Sequence, residues 1–170
     1  RVEGSLWSWG VNANGQIGDN TVALKSSPVL ISSLFDEDTQ LSYANNVGIG
    51  PSSLSWAQIS SNSSFVLAIR SDGLLFSWGL NPNGELGINN ILGQRIPNPV
   101  GTSSWLAVGT GSNFAAAIRN DNTLWMWGNN SIGALGLDDL VHRSSPVQVG
   151  TDTWKIITTL DKLKSQMVSI

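Results

Sequence analysis

Few residues in this chain are of types that do chemistry, and their spacing limits what they can do. His142 is the only histidine. Nucleophilic catalysis needs a serine held in an elbow-like frame, and no Gly-x-Ser-x-Gly stands in the sequence. A lone loop histidine reads as a solvated side chain. Asp72 and Asp121 stand 49 residues apart, beside the turn formers Gly73 and Asn122. Stretches such as Asn12-Ala-Asn-Gly have the polar spacing of a calcium loop, but carboxylates are too few for a hard-cation cage. The Gly-x-(Leu/Ile)-Gly segments lack the Lys-Ser/Thr and the helix that a phosphate loop needs. Lys155, Lys162 and Lys164 are the densest basic grouping, a poor nucleic-acid footprint in a chain of net charge −3. The sequence therefore assigns no catalytic residue, no metal ligand and no cofactor, and it predicts a protein that is not an enzyme.

What the chain has instead is repetition, which outranks other sequence signals for fold. An apolar run ends in Trp-Gly, an Asn follows, and Gly-x-(Leu/Ile)-Gly closes the unit. The frame occurs around Trp9-Gly10, Trp78-Gly79 and Trp127-Gly128. Trp78 and Trp127 are 49 residues apart, as are Trp56, Trp105 and Trp154 in turn, and Gly84 and Gly133. Gly15 holds the same place in the first unit. Trp9 to Trp78 is 69 residues, so the first unit carries an insertion. It lies between Pro28 and Trp56, because Gly18 to Pro28 keeps the spacing of Gly87 to Pro97. Eight tryptophans could form a carbohydrate or peptide platform, yet they recur at fixed places, and Trp7 aligns with Phe76 and Trp125. Packing between repeats explains them better, and Asn12, Asn81 and Asn130 read as turn formers.

Within a unit the pattern predicts four short strands. They start at Trp56, Phe65, Leu74 and near Ile96, with a hairpin signal at Ser71-Asp72-Gly73. Four hairpin-linked strands per unit is the blade of a β-propeller. The inner strands are expected to be small and apolar, as Ala115-Ala116-Ala117 suggests, and the Pro-flanked strand is expected at the edge. The predicted organisation is a partial blade over 1–31, an insertion loop over 32–55, blades over 56–101 and 102–150, and the start of a further blade with a tail over 151–170. About three blades are too few to close a ring. The remaining blades are expected from the same polypeptide, favoured by mid-blade ends and the absence of an initiating Met, or from neighbouring subunits. Charged residues make up 12% of the chain and hydrophobic ones 41%, which fits a folded all-β protein with polar turns and not a disordered one. No apolar run is long enough to span a membrane.

The order Trp-Gly-x-Asn-x-x-Gly-x-Leu-Gly, Ser-Ser-Pro-Val, Trp-x-x-Ile and Phe-x-x-Ala-Ile resembles the regulator-of-chromosome-condensation repeat family. The family carries His where Phe65 and Phe114 stand, a departure that keeps the packing and removes the polar atom. The resemblance implies a seven-bladed propeller and protein–protein contact through its faces. The eponymous member is an exchange factor for a small GTPase and binds chromatin. The Ser-, Asn- and Thr-rich, nearly charge-free style is similar to bacterial and bacteriophage members. It favours an extracellular or virion-surface setting over a nuclear one, with the chain as an interaction or structural module of a larger assembly. A GTPase regulator and a propeller-face enzyme inhibitor are the alternatives. The insertion carries the distinctive side chains Phe35, Asp36, Glu37, Asp38 and Tyr43, which are predicted to touch a protein partner from the hairpin face.

Overall fold

The computed structural model describes residues 5–31 and 55–155, and among these every regular element is a β-strand. β1 (Leu6–Gly10) pairs with β2 (Lys25–Ile31) in an antiparallel two-stranded sheet. β3 (Trp56–Ser61), β4 (Phe65–Arg70), β5 (Leu74–Gly79) and the first part of β6 (Gln94–Thr110) form a complete antiparallel blade. The rest of β6, with β7 (Phe114–Arg119), β8 (Thr123–Gly128) and β9 (Arg143–Thr153), forms the next. β6 thus belongs to both blades: Ser104 pairs with β5 and Trp105 with β7. The part paired with β5 shifts register between Pro99 and Ser104, and Gly101, in that irregularity, has a φ of 63° that suits glycine. The protein is an all-β segment of a propeller.

Burial follows position in the blade. β4 is buried at every residue and β7 at its four central ones, because each has a strand on either edge and packed apolar side chains on both faces. The small residues Ala115, Ala116 and Ala117 are here, in the second strand of a blade, and are wholly inaccessible. This agrees with the expectation that the inner strands are small and apolar. β3 pairs on one edge only, and its Ala57, Gln58 and Ile59 are exposed. Its neighbour across the blade gap is the equivalent part of β6, reached by polar bonds: Ser60 Oγ to Thr110 Oγ1 at 3.0 Å, and the Val108 N–H to Gln58 Oε1 at 3.1 Å.

The core lies between blades. Leu67, Ile69, Leu75 and Leu86 meet Val108, Ala115, Ala117 and Trp127 of the next blade. Ile17 and Ile31 meet Val66, Phe76 and Trp78 in the same way. A blade cannot bury its faces alone, so stability is shared with neighbours, as in other repeat proteins.

Candidate functional site

Three long loops join the third and fourth strands of successive units: 11–24, 80–93 and 129–142. One buried asparagine organises each. The side-chain oxygens of Asn12, Asn81 and Asn130 accept the N–H of Ile17, Leu86 and Leu135, all at 2.9 Å. Their amide nitrogens donate across the loop to the carbonyls of Thr21 (2.9 Å), Asn90 (3.0 Å) and Asp139 (2.8 Å). Both ends of each amide are satisfied inside its own loop, so these residues are scaffold and not ligand groups. Gly15, Gly84 and Gly133 have φ of 75°, 87° and 73°. A Cβ on Gly84 would come within 2.5 Å of the Ser144 backbone of the next blade, so that position needs glycine for close approach as well.

The next blade's tryptophan latches each of the first two loops. Trp78 Nε1 donates to the Gln16 carbonyl at 3.0 Å, and Trp127 Nε1 to the Glu85 carbonyl at 2.8 Å. Trp78 and Trp127 are 1% and 0% exposed. Trp56 stands 5.9 Å from Trp78 and Trp105 6.2 Å from Trp127, so each joint contains a tilted indole pair. Trp9 departs from this packing role at 60% exposure, because no described residue stands over it as the 16–18 loop stands over Trp78. Trp154 is half-buried against Leu135 and Val149.

The tips of the long loops are apolar and exposed. Val22, Ile91 and Leu140 occupy the same place, four residues after the last glycine of each frame, and all are exposed. Leu24, Leu92 and Val141 stand beside them, and Val11, Leu80 and Ile132 lie nearer the loop starts. Nine of the thirteen large apolar side chains exposed among the described residues are in these loops, so apolar exposure is concentrated on one propeller face. The turns between first and second strands share that face, since Leu80 N–H donates to Ser64 and Asn129 N–H to Asn113. These exposed apolar positions recur once per unit, at equivalent loop positions. The sequence held the signal in the recurrent apolar residue at that offset, hidden by loop polarity elsewhere.

The opposite face carries the hairpins 71–73 and 120–122. Asp72 takes Arg70 through Nε at 3.1 Å and Nη2 at 2.7 Å, and also accepts the Leu74 N–H. Asp121 repeats this with Arg119 and the Thr123 N–H. Each guanidinium stacks on an aromatic ring, Arg70 4.8 Å from Phe76 and Arg119 4.7 Å from Trp125. The Arg70 hydrogen bond holds the Asp72 carboxyl below its ordinary value, and Arg119 with Thr123 does the same for Asp121. These carboxylates are occupied by their own hairpins. An open cleft of about 580 Å³ lies between hairpin 71–73 and the 104–106 backbone. Phe35, Asp36, Glu37, Asp38 and Tyr43 lie outside the described residues. The described ends of their segment are tied to this face: Trp56 Nε1 donates to the Ile31 carbonyl, and the Ser71 N–H to that of Ser55. His142 is exposed, yet its Nδ1 accepts the Asn130 N–H at 2.9 Å, a loop-holding role that a residue without repeat counterparts could not signal. No described helix is long and apolar enough to cross a membrane.

Known proteins with this architecture separate the family from its setting. Human WBSCR16 superposes with a TM-score of 0.67 at 22% identity, covering 86% of this chain and 33% of that one. Prp20p of Saccharomyces cerevisiae, described with its binding to Gsp1p and histones, gives 0.67 at 20% identity, covering 86% and 34%. Among curated proteins, the RCC2 homolog of Xenopus laevis is 30% identical over 98 residues, 58% of this chain and 16% of its own length. Mouse RCC2 is 30% identical over the same share of this chain and 15% of its own. These relatives are eukaryotic and do not support the bacterial or bacteriophage style. They also overturn the extracellular or virion-surface setting, since relatives of the RCC2 type and a histone-binding protein point away from it. Sequence profiles of the regulator of chromosome condensation (RCC1) repeat match residues 3–43 and 72–118, and a second profile of the same description matches 56–85 and 105–133. With more than half of its length matched, the chain belongs to the regulator of chromosome condensation repeat family.

Proposed function

We propose that this segment works as a non-enzymatic protein-binding module, with the long-loop face as its contact surface. The carrying observation is the apolar triplet Val22, Ile91 and Leu140, exposed at one place in three successive units. Scattered exposed apolar residues are ordinary, but repetition on a single face of a rigid scaffold makes a patch. The partner is a protein with a complementary apolar surface. A chain of net charge −3, with its hairpin arginines paired to aspartates, offers little to a phosphate backbone.

A second reading, regulation of a small GTPase by promoting nucleotide exchange, is supported by the fold shared with Prp20p, the yeast protein described as binding Gsp1p. The two readings separate in one experiment. A Gsp1p-type GTPase loaded with fluorescent nucleotide and a histone preparation are each titrated with the chain and with an Ile91→Asp/Leu140→Asp variant. Binding that the variant loses supports the long-loop face. Accelerated nucleotide release supports the exchange reading. Binding unchanged in the variant would move the contact to the hairpin face and the 32–54 segment.

A further inference from the structure

The three units place the cation that follows each long loop in two different ways. Lys25 and Arg143 stand seven residues after the last glycine of their frames, and Gln94 has that place in the middle unit. An aspartate of its own loop ties each of the two down: Lys25 Nζ meets Asp19 Oδ2 at 2.8 Å, and Arg143 Nη2 meets Asp139 Oδ2 at 2.5 Å. The middle unit has its cation one residue later, at Arg95. Successive residues of a strand point to opposite sides, so a shift of one turns the side chain away from the place that Lys25 and Arg143 share. The 80–93 loop also holds no aspartate, and its one acid, Glu85, is 2% exposed and bonded to Asn83.

Arg95 lies instead against the preceding unit. Its carbonyl accepts the Asn20 N–H at 2.9 Å. A Cβ on Gly15 would stand 2.8 Å from Arg95 Cγ, so the arginine stem rests on the Gly15 backbone. That seat holds it between the 11–24 and 80–93 loops, where Val22 and Leu24 of the one and Ile91 and Leu92 of the other are exposed. Arg95 is itself exposed, and among the described residues it is the one cation of this face without a carboxylate. The acid Asp138, also exposed, belongs to the loop of the next blade. Ser26 and Ser144 occupy the place of Arg95 in the other units, so the charge is peculiar to this joint.

We propose that Arg95 selects the partner of the long-loop face by charge, taking a carboxylate from a protein segment whose flanking apolar side chains rest on Val22, Leu24, Ile91 and Leu92. A guanidinium presents a planar fork that matches a carboxylate through two parallel hydrogen bonds, and a lysine cannot copy it. The seated stem leaves Arg95 less freedom to lose when it binds. Lys25 and Arg143 cannot serve in this way, because their charges are held by their own loops. The proposal rests on the binding role assigned to this face and adds the partner's chemistry, acidic and apolar together.

The test titrates the 170-residue chain against two short fluorescein-labelled peptides, leucine alternating with aspartate in one and with lysine in the other, and reads fluorescence anisotropy. The expected result is tighter binding of the aspartate peptide, by about five-fold or more at low salt and by less as salt is added. The chain's net charge of −3 acts in the opposite sense, so the preference has to come from a local group. Arg95→Gln keeps the methylene stem over Gly15 and should abolish the preference, whereas Arg95→Lys should retain part of it. Ile91→Ser should weaken both peptides alike. Thermal melts of each variant check that the fold is kept. Equal binding of the two peptides by the parent, or a preference that survives Arg95→Gln, would overturn the role of Arg95, and the apolar face would still stand if Ile91→Ser weakened both. A parent that binds neither peptide would overturn it as well, while the GTPase and histone titrations decide the loop face on their own.

Discussion

The 80–93 and 129–142 loops have the same skeleton and different surroundings. Asn81 and Asn130 make equivalent bonds, to Leu86 and Asn90 in one loop and to Leu135 and Asp139 in the other. Trp127 seals the first, whereas the second has Gly133 and Gly136 open to solvent. The same motif therefore carries two kinds of energy. The asparagine term is local and belongs to every copy. The tryptophan and glycine terms exist only where a neighbouring blade is in place.

The largest test of that division is at tryptophan. Trp127→Ala empties a wholly buried site and removes the bond to Glu85, so we expect a loss of about 3–5 kcal/mol in urea or thermal unfolding. Trp9→Ala, at the equivalent place, should change stability by no more than about 0.5 kcal/mol. Equal effects would show that the joint does not store the energy assigned to it.

Glycine gives the next contrast. Alanine at Gly87 sets a methyl group against Trp127 Nε1 in addition to a φ of +69°, and about 2–3 kcal/mol is expected. Alanine at Gly136 meets the backbone cost alone, about 1 kcal/mol. Asn81→Ala and Asn130→Ala should instead cost alike, about 1–3 kcal/mol each, since both leave a buried N–H unpaired. A large difference between the two asparagine variants, read from chemical unfolding, would break the claim that this term is local.

This division also explains what could be read without coordinates. The 49-residue spacing of the tryptophans and the Trp-Gly, Asn and Gly-x-Leu-Gly frame are backbone requirements repeated in every unit, so the propeller and its strands were legible. The burial of the Trp-Gly tryptophan was legible only where a neighbouring blade covers it. Trp9 and Trp127 look alike as sequence and differ from 60% to 0% exposure. Ala115, Ala116 and Ala117 pointed to an inner strand, and they lie in the second strand of their blade, flanked on both edges. The loop tips were overlooked because a residue such as Ile91 among polar neighbours reads as an ordinary loop residue until three of its kind share a face. The cellular setting was misjudged because it was inferred from sparse charge, which bears on solubility and not on location.

The smallest expected effect tests the same contrast on the hairpin face. Hairpin 71–73 lies against the following blade, with the Trp105 N–H bonded to the Gly73 carbonyl, and the Arg70 side chain is only 10% exposed. In hairpin 120–122 the Arg119 side chain is 30% exposed and Asp121 42%. The Arg70 hydrogen bond lowers the folded-state pKa of Asp72. A carboxyl depressed on folding contributes stability at pH above its unfolded value, near 4, and that contribution disappears as the pH falls through the lower folded value. The chain should thus lose stability relative to Asp72→Asn as the pH drops from about 6 to below 4. Solvent reaches this pair, so the whole difference should stay within about 1 kcal/mol. Asp121→Asn should shift the profile in the same direction and by less, because water screens that more exposed pair despite its closer contact. Melting temperatures of the three proteins across this range provide the measurement. A larger slope from Asp121 than from Asp72 would mean that contact geometry, and not cover by the next blade, sets the strength of these pairs.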